Sequence, residues 1–224
     1  MLESLQVSDG CRVIPLWRNI SGDNFHPVYK IVGYTVVDEI DFDWLNKYRW
    51  LMAENSRTGD CYAVRYESQG GKRIHIFMAR EILNLPHGVG CGSDEAEHRD
   101  HNTLNNRRRN LRRATSSQNN ANKKGYSLSQ RFKGVRPERG KYLARIKINR
   151  SLFYLISVPK EVEAALMYNY AAYLLYGEFA ELNIIPEDEM PSYERQWELY
   201  DMVVTKLRSK GFPCADALKR EECN

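Results

Sequence analysis

What the chain lacks narrows its class before any motif is read. No apolar run approaches the ~20 residues needed to cross a bilayer. The opening MLESLQVSDG has no basic segment followed by an apolar one, so a chain without a membrane span and not exported is expected. No Cys-x-x-Cys pair occurs. Cys11, Cys61, Cys91, Cys214 and Cys223 are odd in number and scattered, as suits free thiols in a reducing compartment. His87, Cys91, His98 and His101 can be drawn together as a zinc site on paper, but no pair among them has the spacing of a zinc finger. Disorder throughout is excluded by composition: 42% hydrophobic and 28% charged residues in 224 is ordinary for one or two cored domains.

Acid is what residues 101–150 lack. That stretch holds fifteen Lys or Arg against the single acid Glu138, a local charge of +14 in a chain whose total is +4, so the remainder sums to about −10. A basic block between acidic flanks suggests a polyanion-binding surface, although charged stretches are more often solvated faces.

The most informative stretch is 97–122, EHRDHNTLNNRRRNLRRATSSQNNAN. Glu97-His98 is followed at fixed distances by Asn110 and Asn119. The segments around Glu97-His98 and Asn110-Leu111-Arg112 read as brief strands joined by an Asn- and Arg-rich loop. Thr115 with Gln118 three residues on is a capping-box pattern that sets Asn119 in the first turn of a helix. A carboxylate, a neutral imidazole and an amide oxygen converging on one point suit a hydrolytic magnesium site. The oxygens are hard ligands, and the imidazole can take a proton from water. The bland alternative is a polar loop with a helix cap, since Asn favours turns for local reasons.

At these residues the chain resembles the HNH nuclease motif of phage and intron-encoded homing endonucleases. The resemblance implies a ββα-metal fold with His98 as general base and Asn110 holding the motif loop and the imidazole. It implies Glu97 and Asn119 as ligands of Mg²⁺, for which Mn²⁺ substitutes, and it makes Asn106 and Asn122 supports. Glu97 stands where the family usually has Asp. Arg107, Arg108 and Arg112, interleaved with the motif, are candidate DNA contacts. The pieces YTVVD, WLNKYRW, YAVR and IFMAREIL resemble the scaffold that often precedes this motif.

Along the rest of the chain, residues 1–27 read as an irregular arm. Strands are expected over 28–37, 62–67 and 73–78, the last two joined by Ser68-Gln69-Gly70-Gly71, and a short helix capped by Asp41 runs to Tyr48. After a linker at 123–130 come strands at 131–136, 141–148 and 151–157, then a helix from Pro159 to Tyr176 capped by Gly177. FKGVR, KYLARI, EAALMYNYAA and YGEFAELN together resemble the DNA-binding domain of plant ethylene-responsive transcription factors, a three-stranded antiparallel sheet backed by one helix. That resemblance turns Arg136, Arg139, Lys141, Arg145 and Lys147 toward DNA. A last amphipathic helix is expected over 192–209, packed on the body or, less favoured, used for dimerisation.

The expected architecture is therefore α+β: an arm at 1–27, an HNH module with β-rich scaffold at 28–122, a sheet-type DNA reader at 131–183 and an acidic segment with helix at 184–224. The expected activity is metal-dependent, site-directed nicking of double-stranded DNA by a monomer or weak homodimer, in the cytoplasm or wherever host or phage DNA resides. The alternative is a sequence-specific DNA-binding regulator whose nuclease motif has decayed.

Overall fold

A computed structural model describes residues 10–23, 25–88, 94–123, 131–148 and 151–212. The chain divides into two compact units, Met1–Ser116 and Ser117–Asn224, and has the α+β class expected of it. No described helix is long and apolar enough to cross a membrane. Cys11 and Cys61 are thiols; Cys91 and most of the linker, 124–130, lie outside the described residues.

The first unit is built on a five-stranded sheet in the order β2-β1-β3-β4-β5. Its strands are β1 (Cys11–Asn19), β2 (Tyr29–Asp38), β3 (Trp50–Glu54), β4 (Cys61–Gln69) and β5 (Lys72–Phe77). Two of these correct the sequence reading. Residues 11–19 are not an irregular arm but a full strand, whose alternation is broken by Pro15 and by a bulge between Leu16 and Trp17. β3 has only five residues and pairs in parallel with β1 through Leu16 and Trp17, a partner that no local pattern reveals. The expected loop at 68–71 tightens to Gly70-Gly71, with φ of 56° and 75°, because Gln69 and Lys72 still pair and a type I′ two-residue hairpin turn needs two positive φ values.

Helix α1 (Glu39–Leu45) starts before Asp41, which is buried inside it instead of capping it. Helix α2 (Met78–Ile82) closes the scaffold. Ile14, Leu16, Val37, Leu45, Trp50, Ile76, Met78 and Ile82 form one core, and Leu111 belongs to it. Leu111 opens β7 (Leu111–Thr115), which pairs antiparallel with β6 (Asp94–His98) as a two-stranded ribbon. Burial of Leu111 thus fastens the ribbon to the scaffold by apolar contact.

Helix α3 (Ser116–Asn122) follows directly. Beyond it, β8 (Val135–Glu138), β9 (Lys141–Ile148) and β10 (Ser151–Val158) form an antiparallel sheet in the order β10-β9-β8. The β8–β9 turn is the pair Arg139-Gly140, both left-handed. β8 starts later than expected because residues 131–134 turn. Helix α4 (Glu161–Tyr176) packs Ala164, Ala165, Tyr168, Ala171 and Ala172 into the core of this unit. Helix α5 (Tyr193–Arg208), with Ser192 accepting a cap bond from the amide of Arg195, buries Leu199, Val203 and Leu207 in the same core. α4 is buried on nearly all sides from Val162 to Tyr168, since sheet and α5 both pack on it.

Candidate functional site

The ribbon register fixes the neighbours of the motif. Glu97 stands opposite Arg112, and His98, the last residue of β6, stands opposite Leu111. Both Glu97 and His98 are buried. Between the strands runs the loop 99–110, and its polar side chains are spent on holding its shape. Asp100 accepts from Nδ2 of Asn110 at 2.8 Å, from Nδ2 of Asn105 at 2.6 Å and from the amide of Asn102 at 2.8 Å. Burial raises the pKa of Asp100, but these bonds to its charged form outweigh it and hold the carboxyl below its ordinary value. The amide of Asp100 donates to Oδ1 of Asn110, and Nδ2 of Asn110 also donates to the carbonyl of Asn105. His101 adopts φ 63° inside this loop, a conformation His tolerates more readily than most residues.

The loop is tied to the scaffold by a second set of bonds. The amide of Val36 donates to Leu104, and the amide of Asn106 donates to Val36. The hydroxyl of Thr35 donates to the carbonyl of Leu104 at 2.8 Å. Having given its only proton, that hydroxyl must accept from Nδ2 of Asn106, 2.8 Å away. This fixes the amide, so Oδ1 of Asn106 faces Nε2 of His98 at 3.1 Å. A neutral imidazole then carries its proton on Nε2, and Nδ1 becomes the basic nitrogen. Burial pushes the His98 pKa down, against the bond from Asn106, which favours the neutral ring a general base requires.

The sequence reading gave Asn110 both the loop and the imidazole. The structure divides that work: Asn110 holds the loop, while Asn106 meets the ring. Thr35 and Asp100 were missed. Asp100 was findable two residues past His98, whereas Thr35 is 71 positions from Asn106 and leaves no local signal.

The motif arginines set out as DNA contacts, Arg107, Arg108 and Arg112, each have a carboxylate partner. Arg107 Nε donates to Asp38 at 3.0 Å, and the amide of Arg108 donates to the same carboxylate at 2.7 Å. Arg108 Nε and Nη2 form a fork on Asp41 at 2.7 and 2.8 Å; that aspartate also accepts from the indole of Trp44. Arg112, 8% exposed, donates from Nε to one oxygen of Glu97 and from Nη2 to the other at 3.3 Å, while Glu97 is itself 2% exposed. These arginines therefore join ribbon and loop to acidic residues inside the first unit.

Whether the residues suit a hard divalent ion can be judged from the donors. The Glu97 carboxylate is the right kind of ligand and sits beside His98, and an ion there would meet the Arg112 guanidinium as a competitor on both oxygens. Asn119 is half-buried on α3, on the far side of the unit boundary. Among the described residues, no three of His, Cys, Asp and Glu gather as a metal-binding group.

In the second unit, Ala144, Ile146 and Ile148 of β9 enter the core. Lys141 and Lys147 are exposed and Arg145 is half-buried, so the alternation expected of this strand sets its basic residues away from the core. Arg139 is exposed at the hairpin turn. Arg136 donates to Glu138 at 3.0 Å and lies 5.5 Å from the ring centroid of Tyr154.

No protein-family model matches the chain. Over 144 residues it is 35% identical to a protein of Acanthamoeba polyphaga mimivirus named an uncharacterized HNH endonuclease, an alignment covering 63% of this chain and 70% of that relative.

Proposed function

The chain belongs to the HNH endonucleases, and from that membership we propose that it hydrolyses phosphodiester bonds of double-stranded DNA, one strand at a time, as a homing-type enzyme with a ββα-metal catalytic module. The observation that carries the reading is the buried His98, kept neutral by desolvation and held in one tautomer by the relay from Leu104 through Thr35 and Asn106. Nδ1 of His98 takes a proton from water, the water oxygen bonds to phosphorus, and the bond from phosphorus to the leaving sugar oxygen breaks. Asp100 and Asn110 hold the loop that carries the base's partner. Glu97 and Asn119 are the residues that would supply oxygen donors to Mg²⁺ or Mn²⁺, and the ion would contribute charge neutralisation to the hydrolysis.

Recognition belongs to the second unit in this proposal. Its sheet presents Arg136, Arg139, Lys141, Arg145 and Lys147 to the duplex, where basic side chains release counterions from phosphates or read base edges. The strand order and the helix behind the sheet support this assignment.

A second reading, a DNA-binding regulator with a silent nuclease motif, is favoured by one observation, the engagement of Glu97 by Arg112. Supercoiled plasmid incubated with the full chain and Mg²⁺, with and without EDTA, separates the two. Open-circular product that vanishes with EDTA supports the enzyme; binding without any nicking supports the regulator.

A further inference from the structure

We propose that an aromatic cavity between α4 and α5 binds a methylated ammonium group. The site lies wholly in the second unit, whereas Glu97 and His98 belong to the first, so the proposal goes beyond the nuclease reading and does not depend on it.

Helix α5 carries two stripes. Leu199, Val203 and Leu207 enter the core of the second unit. Tyr193, Gln196, Trp197 and Tyr200 recur at helical spacing on another face and, with Tyr170 of α4, line a cavity of about 180 Å³. A cavity of ~150 Å³ accommodates benzene, so a trimethylammonium group fits. The rings meet nearly at right angles. Tyr170 and Tyr200 stand at 88° with centroids 5.3 Å apart, Trp197 and Tyr200 at 84° and 5.5 Å, Tyr193 and Trp197 at 79° and 6.1 Å. Rings so set are walls facing different ways, and they run from Tyr200, 4% exposed, out to Tyr193, 62% exposed. Packing for stability alone would close such a space, because a void forfeits dispersion contacts along its lining.

Two observations select a cation. Four of the five lining residues are aromatic, and the faces of aromatic rings attract positive charge through their quadrupole. The surrounding chain is also acidic: from Glu187 to Asp201 there are six acids and one base, Arg195. That guanidinium is spent on Glu163 through Nε and Nη2, at 3.0 and 3.2 Å, and on Glu198 through Nη1 at 2.8 Å. Glu194, Glu198 and Asp201, all exposed, each follow an aromatic lining residue by one position, so an acidic stripe runs beside the aromatic one. Phosphate and nucleic acid are repelled here.

Methylation follows from hydration. A bare ammonium is a strongly hydrated point charge, and its N–H groups lose water's hydrogen bonds among ring faces. A trimethylammonium has no N–H to leave unpaired and spreads its charge over methyl groups that touch the rings. Nε2 of Gln196, the one lining amide, donates to the carbonyl of Pro191 at 2.8 Å, which fixes that side chain in the lining.

The test titrates the full-length chain into tetramethylammonium or choline and follows the ligand's methyl proton linewidth. The control ligand is the uncharged carbon analogue of choline, with a tert-butyl group in place of trimethylammonium. Both cations should bind saturably, and the analogue should bind at least about tenfold more weakly, as a desolvated cation–π site requires. Trp197→Leu and Tyr193→Leu should each weaken tetramethylammonium binding by about tenfold. Circular dichroism checks folding, and the largely exposed Tyr193 serves if the Trp197 variant does not fold. Glu194→Gln combined with Asp201→Asn should weaken binding by about threefold at low salt, a difference that shrinks as sodium chloride screens the acids.

A peptide bearing trimethyllysine, set against its unmethylated copy and against choline, separates two sources of the same group. Tightest binding by the methylated peptide identifies a partner protein's side chain, and tightest binding by choline a small molecule. Equal binding of choline and its carbon analogue, no saturable binding of any methylated ammonium, or unchanged binding in both ring variants overturns the proposal.

Discussion

Gly134 offers a sharp test of how the second unit is held together. It adopts φ +74°, and a Cβ placed there would lie 2.1 and 2.5 Å from ring atoms of Tyr168 and 2.7 Å from the carbonyl oxygen of Arg145. Tyr168 is buried in the core, and the carbonyl of Gly134 accepts from the amide of Arg145 at 2.8 Å, so neither neighbour can swing aside. Gly134→Ala therefore carries two costs. The left-handed backbone costs an L residue about 1–2 kcal/mol, and forcing a methyl group into a packed core costs about 1–3 kcal/mol more. The sum, about 2–5 kcal/mol, is a large part of the 5–15 kcal/mol that typically holds a domain. Gly140 is the internal control. Its φ is +75°, nearly the same, but nothing lies within 4 Å of its Cβ position, so Gly140→Ala should show the backbone cost alone. Hydrogen exchange by mass spectrometry on peptides from β9 and α4, across a urea series, reads the second unit without assuming that both units unfold together. Equal destabilisation by the two alanines would refute the close packing of Gly134 on Tyr168 and Arg145.

Further tests address the site and the sheet. His98→Ala should lower nicking by the ~10²–10⁴ typical of a lost general base while duplex binding persists, and wild-type rates in that variant would overturn the mechanism. Because burial lowers the His98 pKa, the neutral base survives to more acidic pH, so the acid limb of the rate profile should lie below the ordinary ~6.5 of histidine; a limb at or above that value contradicts the burial argument. Asn106→Ala removes the donor to the Thr35 hydroxyl and the group facing Nε2 of His98 and should cost about 1–3 kcal/mol of stability, with a loss of nicking rate beyond that explained by unfolding, measured below the melting transition. Arg145→Ala or Lys147→Ala should weaken gel-shift affinity for a selected site by roughly 1–3 kcal/mol if the side chain reads a base, or lower the salt slope by about one if it meets a phosphate. No change in either variant removes this face from recognition.

Local chemistry made some of this molecule readable from its sequence. β9 announces itself through Ala144, Ile146 and Ile148 set against Lys141, Arg145 and Lys147, and Gly177 ends α4 with φ 53°, its amide bonding back to Tyr173. Ser192 caps α5 as its side-chain oxygen allows. What stayed hidden depends on partners remote in the chain. β1 looked irregular because Pro15 and the bulge at Leu16 and Trp17 break its period, and β3 exists because β1 and β4 flank it. The basic run 107–113 looked like a single polyanion surface, yet Asp38 and Asp41, nearly seventy residues earlier, claim Arg107 and Arg108. Charge counting sees neither end of such a pair.

One attachment described above reaches beyond chemistry. β2 is an outer strand of its sheet, and the motif loop takes up the amide and the carbonyl of Val36 through Leu104 and Asn106. An outer strand with open hydrogen-bonding groups invites other copies of the chain to add strands to it, and β2 already exposes Ile31 and Val32 toward its other end. The loop that orients the base is thus also the plug that keeps this edge from recruiting neighbours. A change that displaces Asn106 and its loop would therefore open the Val36 backbone on this outer strand as well as remove the group that faces His98.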